Sequence, residues 1–238
     1  MKKYIKYSLL TIGILLIIGL SGFYIWTQQT YEPSGKLQEL VGEVEQEDGW
    51  VVYEPEDRTK GGVVLYPGAK VEPEAYSYLA QQLSDQGYVV GIPHVALNLA
   101  FTGIGKSEEL MERYPSVEKW YVGGHSLGGV AAASYAHENL HKVDGLFFLG
   151  SYPAGGDDFS KEDLPVLSIY AEKDGLTSLE DIEKSKSLLP ENAVFYEVTG
   201  GNHAQFGMYG PQKGDNKAEL PAKEQQDQII QAMIDWIQ

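Results

Sequence analysis

The sequence predicts an α/β domain, a mostly parallel sheet with helices on both faces. Three observations lead there. Apolar runs of strand length recur at residues 62–66, 88–92, 119–122, 143–149, 166–170 and 193–198. They lack the polar alternation of a half-exposed strand, as expected of strands buried on both faces. Helical patterns separate most of them. Finally, a serine between glycines closes the run at 119–122 and opens an alanine-rich helix pattern.

Composition sets the limits. A chain of 238 residues with 43% apolar content supports one well-buried core, here assigned to residues 37–238. The 27 glycines and 11 prolines fall among apolar runs, so they read as turns. A net charge of −16 would repel a phosphate backbone, which excludes nucleic acid as a partner. The absence of cysteine excludes disulfides, a thiol nucleophile and thiolate metal sites.

Lys2, Lys3 and Lys6 make residues 1–6 a basic tail, and residues 7–26 carry no charge. About 20 apolar residues in a helix cross a hydrocarbon layer of about 30 Å. The lysines place the tail in the cytoplasm and the domain outside, with Tyr24 and Trp26 at the outer interface. The expectation is a single-pass signal-anchor in the cell membrane. The alternative, secretion after signal cleavage, fits less well, because the stretch is long and no Ala-x-Ala site follows. Residues 27–36 read as a polar tether.

Within the domain, residues 37–44 alternate loosely and are expected as a strand, as are 50–53 and 62–66, the latter ended by Pro67-Gly68. Ala75, Leu79, Ala80 and Leu83 recur at helical spacing in 73–86, with Pro73 in the first turn. Strand 88–92 stops at Pro93, an irregular stretch 94–107 follows, and a short helix covers 108–113. Strand 119–122 enters the serine bend and helix 130–138 leaves it. Strands 143–149 and 166–170, helix 179–188, strand 193–198 and an amphipathic helix 224–237 complete the order. No connection is long enough for a large lid. Residues 94–107 and 203–221 should form the rim of a site at the C-terminal strand ends.

The serine bend carries the chemistry. Gly124-His125-Ser126-Leu127-Gly128 lets the chain turn from strand to helix in one tight, strained step that exposes Ser126 as a nucleophile. A serine hydroxyl needs a base, and the base needs an orienting acid. His203, in a glycine-rich loop after strand 193–198, is the candidate base. His137 and His141 read as surface residues, His94 could line the pocket, and His125 is held beside the nucleophile. Asp174, just past strand 166–170, is the candidate acid, with Glu172, Asp157 and Asp158 as rivals. Developing charge on a carbonyl oxygen needs donors in place. The backbone N–H of Leu127 should supply one, and that of Ala69 or Gly68 the other. Lys70, His94, Asn98, His125, Asn202, Phe206 and Tyr209 are further pocket candidates, with Tyr76 near the same strand ends.

No cofactor or metal is expected. The histidines are scattered without ligand spacing, and no Gly-x-Gly-x-x-Gly follows an early strand. Gly103-Ile104-Gly105-Lys106-Ser107 ends like a phosphate loop but lacks the earlier glycine and a preceding strand.

These residues bring the chain to a known family. It resembles the alpha/beta-hydrolase superfamily, and more narrowly the compact, lid-less family 5 group of bacterial exported or membrane-anchored proteins. The resemblance spans roughly residues 50–238. It rests on Tyr66-Pro67-Gly68-Ala69-Lys70-Val71, on Gly124 to Gly129, on Asp174, and on Gly200-Gly201-Asn202-His203-Ala204-Gln205-Phe206-Gly207 continuing to Tyr209-Gly210-Pro211-Gln212. It implies an alpha/beta-hydrolase fold, a Ser126–Asp174–His203 triad, and an oxyanion hole from Leu127 and the Gly68–Ala69 loop. Tyr66-Pro67 stands where His-Gly is usual in the family. The function expected is hydrolysis of a small or accessible carboxylic ester through an acyl-serine. Amide or peptide hydrolysis and acyl transfer use the same triad, and a non-catalytic surface binder on this scaffold is the rival of another class.

Overall fold

The computed structural model describes residues 2–42, 44 and 46–238, residue 2 by its backbone alone. Seven strands form one sheet: β1 (Trp50–Tyr53), β2 (Gly61–Tyr66), β3 (Tyr88–Pro93), β4 (Trp120–His125), β5 (Gly145–Leu149), β6 (Val166–Ala171) and β7 (Val194–Val198). Their order is β1-β3-β2-β4-β5-β6-β7. Only β1 runs antiparallel, against β3, with Trp50 opposite Pro93. The other pairings are parallel, so β2 to β7 end on one common edge.

The continuous apolar runs serve two cores at once. Val63 and Leu65 of β2 enter one hydrophobic cluster, while Val64 and Tyr66 enter the other. Phe147 and Leu149 of β5 likewise face away from Leu146 and Phe148. Side chains of a strand alternate between faces, so a strand covered on both sides must be apolar at every position. Helices α3 (Ser77–Asp85) and α7 (Ala222–Ile237) cover the first face through Leu79, Leu83, Ile229 and Met233. Helices α4 (Lys106–Arg113) and α5 (Leu127–Glu138) cover the second through Leu110, Ala132 and Tyr135. Helix α6 (Leu179–Ser185) begins with a capping box between Ser178 and Asp181.

Residues 37–44 are not a strand. Helix α2 (Gly35–Val41) occupies most of the stretch, capped by the Ser34 hydroxyl, which accepts the Leu37 N–H. Leu37, Leu40 and Val41 pack on the core at i, i+3 and i+4, a helical stripe in a run of good helix formers. The supposed alternation was this stripe, and Glu43 lies outside the described residues.

Helix α1 (Lys2–Thr27) covers the apolar N-terminal segment and is long and apolar enough from Lys3 to Thr27 to cross a membrane. Residues 28–34, read above within a tether, lie along the domain. The Tyr31 N–H donates to Lys70 O (2.7 Å) and Ser34 N–H to Met208 O (2.8 Å). No large lid interrupts the strands among the described residues.

Candidate active site

Ser126 links β4 to α5 with φ 52° and ψ −121°. That backbone region is costly for a residue with a Cβ and persists only where its surroundings enforce it. Here the Ser126 N–H donates to Leu149 O (3.0 Å), and its carbonyl accepts the Ser151 hydroxyl (2.6 Å) and the Gly129 N–H (3.0 Å). The flanking glycines are steric necessities. A Cβ on Gly124 would collide with the Gly128 backbone, and one on Gly128 with the Tyr66 carbonyl. Five described non-glycine residues have positive φ, and four of them, Lys70, Leu97, Asn98 and Ser126, sit on loops leaving this sheet edge.

β6 and β7 deliver the acid and the imidazole. Asp174 Oδ2 lies 2.7 Å from His203 Nδ1, with both side chains buried. Its other oxygen accepts the N–H groups of Leu176 (2.8 Å) and Thr177 (2.6 Å), so the carboxylate cannot turn away. The rivals are engaged elsewhere. Glu172 accepts the Gly200 N–H (2.9 Å), Asp157 the Ser134 hydroxyl (2.8 Å) and Asp158 the Ser160 N–H (2.9 Å). The histidine loop is clamped by two groups the sequence reading passed over. Asp215 accepts the N–H of His203 (3.3 Å) and of Ala204 (2.8 Å). Buried Gln225 of α7 brackets Asn202, accepting its N–H (3.0 Å) and donating to its carbonyl (2.8 Å). The sequence-level sign of such a clamp is a glutamine four residues before Ile229, in line with the apolar face of the helix, where the structure buries it fully.

Asp174 and His203 are thus joined, but Ser126 and His203 are not. Ser126 Oγ makes no hydrogen bond among the described residues, and His203 Nε2 is buried without a partner. Leu127 and Ala69 each present a backbone N–H with no acceptor among the described residues. Gly68, the other expected donor, is committed: its N–H donates to the Tyr76 hydroxyl (2.9 Å). Tyr76 in turn lies 2.8 Å from His125 Nδ1. Donation from the phenol to that nitrogen leaves no phenol proton unpaired, and it puts the His125 proton on Nε2. Burial, then the neighbouring His203, pushes the His125 pKa well below 6.5, so this ring is neutral. A Cβ on Gly68 would come 2.8 Å from His125 Nδ1, which is why glycine stands there.

The remaining candidates scatter around this centre. Phe206 is fully buried with its ring 5.6 Å from His125, and Tyr209 is 6.3 Å from the same ring. The Asn202 side chain holds Asn216 O (2.7 Å). His94 lies 3.1 Å from Glu74 in a poorly aligned contact away from Asp174. Lys70 and Asn98 reach the end of α1: Lys70 Nζ donates to Trp26 O (3.2 Å) and Asn98 Nδ2 to Thr27 O (3.0 Å).

The comparisons bear on the family and the fold. A sequence model of the alpha/beta hydrolase family matches residues 62–227, from β2 to the first turns of α7. The chain belongs to the alpha/beta hydrolase family. No curated protein sequence matches it. Solved structures share its fold at low identity. An alpha/beta hydrolase enzyme from the metagenome of Mar Chica lagoon sediments, Morocco, is 18% identical, with a TM-score of 0.60 over 82% of this chain and 97% of that one. Est1E from Butyrivibrio proteoclasticus is 14% identical, with a TM-score of 0.58 over 82% and 98% of the two chains. An alpha-beta serine hydrolase homologue from Coxiella burnetii is 13% identical, with a TM-score of 0.59 over 80% and 97%. The mostly parallel sheet with its flanking helices is therefore an alpha/beta hydrolase fold.

Proposed function

We propose that this alpha/beta hydrolase is a serine hydrolase that cleaves a carboxylic ester, with its domain outside the cell membrane and α1 as the anchor. The observation that carries the reading is the strained Ser126 backbone at the end of β4, on the sheet edge that also bears the Asp174–His203 pair at 2.7 Å. The groups such a reaction needs, Ser126 Oγ, His203 Nε2 and the N–H groups of Leu127 and Ala69, have no hydrogen-bond partner among the described residues. In substrate-free enzymes the nucleophile–base contact is often long and tightens when substrate binds.

The cycle balances without a cofactor. Ser126 Oγ attacks the ester carbonyl carbon while His203 Nε2 takes the hydroxyl proton, and Asp174 stabilises the imidazolium. The oxyanion rests on the Leu127 and Ala69 amides. Collapse expels the alcohol, which leaves with the proton from His203. A water then gives its proton to His203 and attacks the acyl carbon, and the acid departs as Ser126 regains its hydrogen.

Hydrolysis of 4-methylumbelliferyl acetate by the full chain, with Ser126→Ala beside it, tests this reading. Turnover should fall by about 10³-fold or more in the folded variant. Equal turnover in both proteins, or no labelling of Ser126 by a serine-directed phosphonate, would leave a binding protein instead. A transferase would reveal itself by ester exchange when competing alcohols are added.

A further inference from the structure

The end of α1 and the proposed oxyanion loop touch, with no intervening linker. Trp26 accepts a hydrogen bond from Lys70 at its carbonyl and lies under the Lys70 ammonium at 4.4 Å from the ring centre. Lys70 directly follows Ala69. Thr27, the last residue of the helix, is fully buried and holds Asn98. From there the chain continues as a strap over the site loops: Tyr31 pairs with Val71, Thr30 donates to Glu72 (2.8 Å), and the Tyr31 ring packs 5.5 Å from Tyr209. An unfolded linker would add about 3.3–3.6 Å of reach per residue, and here that reach is zero. A bilayer spanned by α1 therefore lies against the site edge of the domain.

That edge is built for such contact. Residues 94–105, which receive the end of α1, include no Asp, Glu, Lys or Arg, and neither do residues 199–212 around His203. On the opposite edge, five of the seven residues 54–60 are charged. Of the charges near the site, Glu172 is paired with Lys173 at 2.9 Å, while Glu72 accepts the Thr30 hydroxyl (2.8 Å) and keeps its charge. Among the described residues outside α1, the exposed large apolar side chains are Phe101 (54% exposed), Leu176, Leu179 and Val194. The first three stand on connections leaving the C-terminal ends of β3 and β6, and only Val194 begins a strand at the far edge. A chain of net charge −16 is repelled by anionic lipid except where a face is uncharged.

We infer that the ester this site takes is a membrane-borne amphiphile, whose acyl carbonyl lies at headgroup level in the leaflet where α1 ends; the inference rests on the hydrolase reading above. The lid-less site then needs no lid, because the bilayer covers the rim. A monomeric lipid-like ester enters from the leaflet, and bulk oil is not required.

The test uses the full chain in phosphatidylcholine vesicles. Because the chain has no cysteine, Phe101→Cys and Val194→Cys each give a single site for a polarity-sensitive thiol fluorophore. The label at position 101 should shift to the blue and be quenched by brominated phosphatidylcholine, and the label at 194 should not. Identical aqueous signals at both sites overturn the apposition. In the second arm, 4-methylumbelliferyl oleate in the vesicles is compared with 4-methylumbelliferyl acetate in water. Phe101→Asp should slow the oleate ester by about tenfold or more, since a charge resists the interface, and leave the acetate nearly unchanged. Acetate turnover without oleate turnover, or equal slowing of both, overturns the substrate class while the hydrolase reading stands. Turnover of neither ester sinks the hydrolase reading itself, and this inference with it, whatever the labels show.

Discussion

Two imidazoles lie side by side at the heart of this site and are held for opposite purposes. The rings of His125 and His203 are 4.5 Å apart, and both residues are fully buried. His203 faces a carboxylate whose second oxygen is fixed by two amides. His125 faces the Tyr76 phenol, which burial keeps from ionising by raising its pKa well above the usual range. Burial is common to both, so burial alone does not decide whether an imidazole can carry a proton. The partners differ in charge: in the proposed cycle the Asp174 carboxylate compensates the imidazolium formed on His203, which a neutral phenol could not do. In the proposed cycle a cation forms on His203, and a neutral ring 4.5 Å away does not oppose it.

The strongest way to break this comparison is to make the two partners alike. Asp174→Asn keeps the shape of the pair but removes the charge and favours the wrong tautomer of His203. We expect kcat for the acetate ester to fall by about 10⁴-fold with little change in KM. A loss of less than about tenfold would mean that the carboxylate is no more than a structural hydrogen-bond acceptor. Steady-state kinetics on a variant whose circular dichroism matches the parent would decide it.

The aspartate-held half of the site was legible in the sequence and the tyrosine-held half was not. Ser126, Asp174 and His203 each follow an apolar strand, and the order of elements alone brings such positions to one edge. The Tyr76–His125–Gly68 chain links residues 8 and 49 positions apart through side chains pointing inward. Tyr76 is expected only near the strand ends, and nothing in its spacing reveals where its hydroxyl ends. Likewise the strap over residues 70–72 depends on backbone pairing of Tyr31, which a polar, tether-like composition conceals. Helix α2 was misread because seven residues are too few to separate a loose alternation from one helical stripe. Of the two amides expected as a second oxyanion donor, that of Gly68 is bonded to Tyr76, which leaves Ala69 as the proposed donor.

Removing the Tyr76 hydroxyl probes that hidden half, with a smaller effect. In Tyr76→Phe the buried Gly68 N–H and His125 Nδ1 both lose their partner. An unsatisfied buried group costs about 1–3 kcal/mol, so the urea midpoint should drop accordingly in detergent micelles. Freed from its anchor, the Gly68–Ala69 loop should also hold the oxyanion less well, lowering kcat more than KM. Stability loss with unchanged kcat would confine Tyr76 to packing.

The smallest effect is the most direct reading of the neutral ring. The His125 pKa is lowered in the folded chain, whereas the unfolded chain titrates near 6.5. Below that pH the unfolded state therefore binds a proton that the folded state refuses. By linkage, stability rises with pH in this range and is lost as pH falls from about 6.5 toward the lower folded value, by on the order of 1 kcal/mol per pH unit. In His125→Gln that slope should disappear, while carboxylate contributions such as that of Glu74 remain in both proteins and cancel in the difference. Glu74 belongs to a lower window: burial alone would raise its pKa, but the His94 contact and its hydrogen bonds together lower it. Urea titrations of both proteins between pH 5 and 7 read the difference as a slope, so an overall weaker variant still answers the question. Parallel slopes would mean that His125 takes up a proton in the fold, and the division of labour between the two rings would be lost.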